Sequence, residues 1–178
     1  RMIDRLAKKY GLTVYETPVG FNHIADHMMS EDVLIGGEES GGISFLGHIP
    51  EGDGPIMGLL LVEMIAYYKK TLGELVNDLL AEVGPAFYER TDLRLARPIA
   101  KSEMAAFITK NAPKSIGDVE IVEISNLDGV KFILADDSWL LIRPSGTEPV
   151  LRVYAESRSE SLMKELLAFG NKIAETIV

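Results

Sequence analysis

The feature that most constrains this chain is a short polar loop held between two apolar runs. Trp139-Leu140-Leu141-Ile142 leads into the segment Arg143-Pro144-Ser145-Gly146-Thr147-Glu148-Pro149, and Val150-Leu151-Arg152-Val153-Tyr154 leads out of it. Apolar and alternating runs on either side of Pro and Gly predict a strand, a tight loop and a second strand. Two strands joined by so short a loop pair antiparallel, which fixes the local fold around residues 139–154.

The loop itself has the composition of a phosphate site. Arg143 offers a planar fork of donors, and Ser145 and Thr147 each offer a hydroxyl group. Gly146 allows backbone N–H groups to turn towards the same anion. Pro, Ser and Gly are also ordinary turn residues, so the loop by itself is equally well interpreted as a polar hairpin turn.

The composition narrows the classes of partner. The net charge is −9 and the pI is near 4.9, so neither nucleic acid nor an anionic membrane is expected as a partner, and a phosphorylated ligand needs a local cluster of cations. The absence of cysteine excludes disulfides, zinc–thiolate sites and a cysteine nucleophile, and fits a reducing cytoplasm. His23 and His27 are four residues apart, but no Glu or Cys stands at a metal-site spacing, so a polar helix face is favoured and no metal site is predicted.

A second glycine-rich loop stands in the first half of the chain. The apolar run 33–35 predicts a strand, and Gly36-Gly37-Glu38-Glu39-Ser40-Gly41-Gly42 follows it directly. Carboxylates at a strand end can accept hydrogen bonds from sugar hydroxyls, and Ser40 can donate or accept them; a flexible acidic loop is the alternative. In the next polar loop, His48 is a candidate ligand contact or general acid, or a solvated histidine.

The pattern of helices and strands changes near Gly84-Pro85. Residues 1–84 read as an α/β unit, with a short strand at Leu12–Tyr15 and a largely apolar, buried helix at Ile56–Lys70. Residues 85–178 read as an α+β unit in which hairpin strands combine with two helices, and Asp128-Gly129 is a typical hairpin dipeptide. We therefore predict two domains, 1–84 and 85–178.

Taken together, the two glycine-bearing loops resemble those of the α-D-phosphohexomutases. Gly37-Glu38-Glu39-Ser40-Gly41 is similar to the family's sugar-reading loop, and residues 143–149 resemble its phosphate-binding loop. Thr17-Pro18-Val19-Gly20-Phe21 resembles a turn in the family's third domain. The resemblance covers essentially the whole chain. The family includes phosphoglucomutases, phosphomannomutases and phosphoglucosamine mutases.

The resemblance implies a fold and a set of substrate contacts. Residues 1–84 would be an incomplete α/β domain 3, and residues 85–178 a domain 4 whose antiparallel sheet with helices looks like that of the TATA-binding protein. Glu38 and Ser40 would hold sugar hydroxyls. The set that would clamp the phosphate that is not being transferred is Arg143, Ser145, Gly146 and Thr147.

Two positions depart from the family pattern. Gly42 stands where many dual-specificity members have His, and Asn22 stands where many have Lys. Both changes remove side chains that the resemblance would place at the sugar, and His48 is a candidate to compensate for them. The Glu-Glu-Ser form leans towards glucose rather than glucosamine.

The resemblance also implies what this sequence lacks. The family's phosphoserine loop and its Asp-rich magnesium loop have no counterpart here, so the sequence predicts a C-terminal part of a cytoplasmic mutase that is inactive by itself. The parent enzyme would use Mg²⁺ and a hexose 1,6-bisphosphate activator to interconvert hexose 1-phosphate and 6-phosphate. The alternative is a freestanding, non-catalytic module that binds a hexose phosphate.

Overall fold

The chain divides into two units close to Gly84, whose φ of +85° lies in the left-handed region that favours glycine. The computed structural model describes residues 1–95, 99–146 and 148–177. Residue contacts group Tyr10–Glu82 into one unit, and Arg1–Lys9 with the chain from Val83 onward into another. The sequence did not predict that the first nine residues belong with the C-terminal unit.

The unit Tyr10–Glu82 combines helices with one small hairpin. Its elements are α2 (Phe21–Ser30), β1 (Ile35–Gly37), β2 (Ile43–Phe45), α3 (Gly54–Tyr68) and α4 (Leu72–Val83). β1 and β2 pair antiparallel, and α2 packs directly on β1 at Gly36, where an added Cβ would lie 2.5 Å from Ile24 Cγ2. Gly36 therefore allows the close approach of helix and strand.

Two expectations for this unit were wrong. Leu12–Tyr15 forms no strand, and α3 contains no buried residue although most of its side chains are apolar. Ser44 is the only buried residue between Tyr10 and Glu82, a stretch that the structure describes in full. The physical reason is that too few elements pack against α3, because a two-stranded hairpin has too little surface to bury an apolar helix of 15 residues. No helix in the described part of the chain is long and apolar enough to cross a membrane.

The C-terminal unit is built on a six-stranded antiparallel sheet. Its strands are β3 (Phe87–Arg94), β4 (Ser115–Ile116), β5 (Val119–Ser125), β6 (Val130–Leu134), β7 (Trp139–Pro144) and β8 (Val150–Ser157). Its helices are α1 (Met2–Tyr10, apart from its last residue), α5 (Lys101–Lys110) and α6 (Glu160–Ile177). The strand order is β3-β8-β7-β6-β5-β4, and every neighbouring pair is antiparallel. This sheet confirms the predicted α+β fold.

The core of this unit lies between one face of the sheet and the helices α5 and α6. Side chains on a strand alternate between the two faces, so Leu140 and Ile142 point into the core while Arg143 points to the other face. Gly170 brings α6 onto the sheet, since an added Cβ there would lie 2.5 Å from Val153 Cγ1. On the opposite face, Arg5 of α1 lies 3.9 Å from Glu156 of β8. The packed sheet thus supports the loops at the ends of its strands.

Candidate functional site

The phosphate-type loop is a tight connection between β7 and β8. Arg143 is the cross-strand partner of Arg152, which places both side chains on the face away from the core. The Ser145 N–H donates to the Val150 carbonyl at 2.8 Å, and the Glu148 N–H donates to Ser145 Oγ at 3.3 Å. The loop is therefore a closed hairpin, as predicted, and Thr147 lies outside the described residues.

Gly146 does not need its glycine for the turn itself. An added Cβ would meet nothing within 4 Å, and its φ lies outside the left-handed region. A backbone that is open on this side allows an anion to approach closely. The backbone conformation and packing of the loop therefore do not explain the glycine, whereas the approach of a ligand to the loop would.

Arg143 is buried, with 8% of its surface exposed. Its Nε atom has no hydrogen-bond partner among the described residues and lies 3.6 Å from Asp128 Oδ2. The other oxygen of this carboxylate, Oδ1, accepts a hydrogen bond from Lys101 Nζ at 2.8 Å. A guanidinium that is nearly buried but incompletely hydrogen-bonded is costly unless another anion completes its shell.

Sequence reasoning missed three charged residues near this loop. Asp128 was interpreted only as a turn residue, and Lys101 and Arg152 were not singled out. Arg152 donates to Glu148 Oε2 at 3.3 Å and lies 3.9 Å from Asp92. Arg152 could have been found from the hairpin itself, because a short loop fixes which residues of its two strands lie opposite each other.

In the other unit, Glu38 connects two of the turns that carry the resemblance. Its Oε1 accepts the Gly20 N–H at 3.0 Å, and its backbone closes a turn through the Gly41 N–H at 3.0 Å and the Gly42 carbonyl at 2.9 Å. Gly20 and Gly41 have φ values of +132° and +94°, so both turns depend on glycine. Glu38 is half-buried and Ser40 is exposed. One carboxylate oxygen of Glu38 thus holds the loop together.

Position 42 is tightly surrounded but not blocked. A Cβ added at Gly42 would lie 3.7 Å from a Phe21 ring atom and 3.8 Å from Glu38 Oε2, which are ordinary contact distances. A side chain at this position would therefore extend beside the second oxygen of Glu38. Glycine leaves that space open.

His48 is bound into the start of α3. Its Nε2 lies 3.0 Å from Asp53 Oδ2, and its ring stacks on Phe45 with centroids 5.3 Å apart. Asp53 Oδ1 accepts the Ile56 N–H at 3.1 Å, and this backbone bond, followed by the bond to His48, lowers the pKa of Asp53. These contacts anchor the His48 side chain at the start of α3.

The described residues do not provide a metal site. No group of three or more His, Asp or Glu side chains in residues 1–95, 99–146 and 148–177 could hold a metal ion. The residues that the structure describes therefore do not fit the Mg²⁺ that the resemblance implies for the parent enzyme.

Two family models match successive parts of this chain. The model of the phosphoglucomutase/phosphomannomutase alpha/beta/alpha domain III matches residues 1–83, and that of the C-terminal domain matches residues 94–170. The chain belongs to the phosphohexomutase family.

Similar proteins support this assignment at the level of the family. The chain is 32% identical to a phosphoglucomutase/phosphomannomutase of Thermococcus kodakarensis over 98% of its length, and 35% identical to a phosphoglucosamine mutase of Methanococcus aeolicus over 97%. It spans only 36% of each of these phosphohexomutases. The crystal structure of a phosphomannomutase-type protein from Thermus thermophilus is 32% identical, with a TM-score of 0.75 over 98% of this chain and 34% of that protein.

Proposed function

We propose that this chain supplies substrate-binding loops of a phosphohexomutase that interconverts hexose 1-phosphate and hexose 6-phosphate through a bisphosphate intermediate. The observation that carries the proposal is Arg143, a nearly buried guanidinium at the end of a strand, with its Nε lacking a hydrogen-bond partner among the described residues. It stands in the loop that resembles the family's phosphate clamp. Domain limits of 1–84 and 85–178 are part of this proposal.

In the proposed arrangement, residues 143–147 bind the phosphate that is not being transferred. Arg143 supplies a charge-assisted fork, Ser145 a hydroxyl, and the open backbone at Gly146 its amide. Thr147, outside the described residues, is proposed as the last donor. Because phosphoryl transfer depends mainly on positioning and charge stabilisation, a clamp that orients the substrate contributes to the rate without taking part in covalent chemistry.

Glu38, Ser40 and His48 are proposed to contact the sugar hydroxyls. The half-buried Glu38 is oriented by the Gly20 N–H on one oxygen, which supports a fixed direction for the other oxygen. His48 is a weaker candidate because Asp53 already binds its ring. The named relatives differ in their hexose, and their similar identities of 32% and 35% do not choose between glucose, mannose and glucosamine phosphates.

The chemistry of the parent enzyme rests on the family resemblance. Mg²⁺, a phosphoserine and a bisphosphate activator are proposed for that enzyme, and this chain by itself is expected to have no mutase activity. A freestanding phosphosugar-binding module is the second candidate, favoured by the surroundings of Arg143 and Glu38, which suit binding without any covalent step. The two candidate functions predict different genes, since only a mutase gene would encode a phosphoserine loop and an Asp-rich loop upstream of this sequence.

The test is an NMR titration of the ¹⁵N-labelled chain with glucose 6-phosphate and, separately, with inorganic phosphate. We expect shifts centred on residues 143–146, and we expect Arg143→Ala to weaken phosphate binding by about 2–4 kcal/mol because a charge-assisted pair is lost. Arg143→Lys keeps the positive charge but lacks the planar fork of donors, so its loss of phosphate affinity should be smaller than that of Arg143→Ala.

Arg158→Ala is the matched control. Arg158 follows the far end of β8, about 25 Å along the strand from the loop, and its removal changes the net charge equally. It should leave binding unchanged. A loss below about 0.5 kcal/mol for Arg143→Ala, or equal losses for both variants, would remove Arg143 from the proposed clamp.

A further inference from the structure

Asp128 lies between two cations at the edge of the phosphate-type loop. Its Oδ1 accepts a hydrogen bond from Lys101 Nζ at 2.8 Å, and its Oδ2 lies 3.6 Å from Arg143 Nε. The side chains of Asp128 and Arg143 are 12% and 9% exposed, whereas that of Lys101 is 58% exposed. The carboxylate therefore has a solvated partner on one side and a nearly buried one on the other.

The backbone forces Asp128 into this place. Gly129 has a φ of +98°, and an added Cβ would lie 2.5 Å from the Ile142 carbonyl oxygen and 2.6 Å from Arg143 Cβ. The turn between β5 and β6 thus rests directly on the backbone of β7 at Arg143. Pairing of Val130 with Ile142 continues the same contact into the sheet. Only glycine fits this approach, and the approach brings the neighbouring carboxylate to the guanidinium.

We propose that Asp128 is a positioning residue that orients the guanidinium of Arg143 for phosphate. This inference rests on the proposed phosphate role of Arg143. A carboxylate close to Nε attracts one edge of the guanidinium, so fewer side-chain rotamers remain to be lost when the anion binds. Arg143 makes the contact with the ligand, and Asp128 acts through Arg143.

The direction of the effect separates positioning from simple electrostatics. Asp128→Asn removes a negative charge beside the anion site, so a purely Coulombic role predicts tighter phosphate binding. A positioning role predicts weaker binding, because the guanidinium loses the charge that holds it. Asn-Gly is as favourable a hairpin dipeptide as Asp-Gly, so this variant keeps the turn.

The experiment is a titration of the whole ¹⁵N-labelled chain with inorganic phosphate and with glucose 6-phosphate. We expect Asp128→Asn to bind about tenfold more weakly, as when a supporting partner of a ligand-binding group is removed, and Asp128→Glu to recover most of the affinity. Lys101→Met is the matched control, since it removes the exposed partner and leaves the Asp128–Arg143 pair. It should change the affinity by less than about threefold.

A second measurement needs no ligand. The NMR signal of the Arg143 Nε–Hε group reports the surroundings of the guanidinium. In Asp128→Asn we expect this signal to shift and its proton to exchange faster with solvent, while the backbone amide spectrum of the sheet is unchanged. Unchanged or tighter binding in Asp128→Asn, or an Arg143 signal identical to wild type, would overturn the inference. If wild type binds neither probe, the proposed clamp fails, and the Arg143 signal alone decides whether Asp128 orients it.

Discussion

Gly129→Ala should destabilise the C-terminal unit strongly, although it adds one methyl group. The added Cβ would lie 2.5 Å from the Ile142 carbonyl oxygen and 3.0 Å from Arg143 Cα, and these are backbone atoms that cannot rotate away. The positive φ of +98° adds a conformational cost for any residue with a Cβ. Steric overpacking of about 1–3 kcal/mol and a backbone cost of about 1–2 kcal/mol predict a loss of about 2–5 kcal/mol.

The assay is urea denaturation followed by tryptophan fluorescence. Trp139 is the only tryptophan of the chain and lies in β7, so its signal reports the C-terminal unit alone. With a slope of about 1–1.5 kcal/mol per molar urea, the midpoint should fall by at least about 1.3 M.

Gly146→Ala provides the matched control for the same chemical change. Its Cβ would meet nothing within 4 Å, so the midpoint should stay within about 0.5 M of wild type or rise slightly, because alanine reduces the entropy of the unfolded chain. A wild-type midpoint for Gly129→Ala, or equal losses in the two variants, would show that the turn does not rest on Arg143 as described.

Two further predictions concern the unit Tyr10–Glu82. Glu38→Gln keeps an oxygen to accept the Gly20 N–H but removes the charge, so it should alter discrimination between glucose and mannose phosphates more than it alters inorganic phosphate binding; equal effects in NMR titrations would mean that Glu38 does not read the sugar. The pKa of Asp53 is lowered, first by the Ile56 N–H and then by His48, so its stabilising contribution is present above the unfolded pKa and is lost as the pH falls through the folded pKa. Carbon-detected NMR of the Asp53 carboxyl should therefore give a pKa below the ordinary 3.8, and a value at or above 3.8 would contradict the capping geometry.

Local patterns predicted the elements whose signals are contained in a few neighbouring residues. Thr71 and Glu74 have capping-box spacing, and the structure shows both bonds, with the Thr71 N–H donating to Glu74 Oε2 at 2.8 Å and the Glu74 N–H donating to Thr71 Oγ1 at 3.3 Å. The hairpins around Asp128-Gly129 and residues 143–149 were also predicted correctly, since turn residues and alternation are local.

Burial could not be predicted in the same way. The apolar composition of α3 indicated a buried helix, but burial depends on whether other elements provide a surface, and residues 10–82 provide little. The strand expected at Leu12–Tyr15 failed for a related reason, because a strand needs a partner to accept its backbone hydrogen bonds.

The sequence by itself determined the family-type loops, their order along the chain, and the hairpins that carry them, because these depend on residue type and short spacing. Tertiary structure alone decided the surroundings of Arg143. The close approach of Gly129 placed Asp128 3.6 Å from the Arg143 guanidinium. Asp128 and Arg143 belong to different hairpins, so the pairing of β6 with β7, rather than any local preference, brings them together.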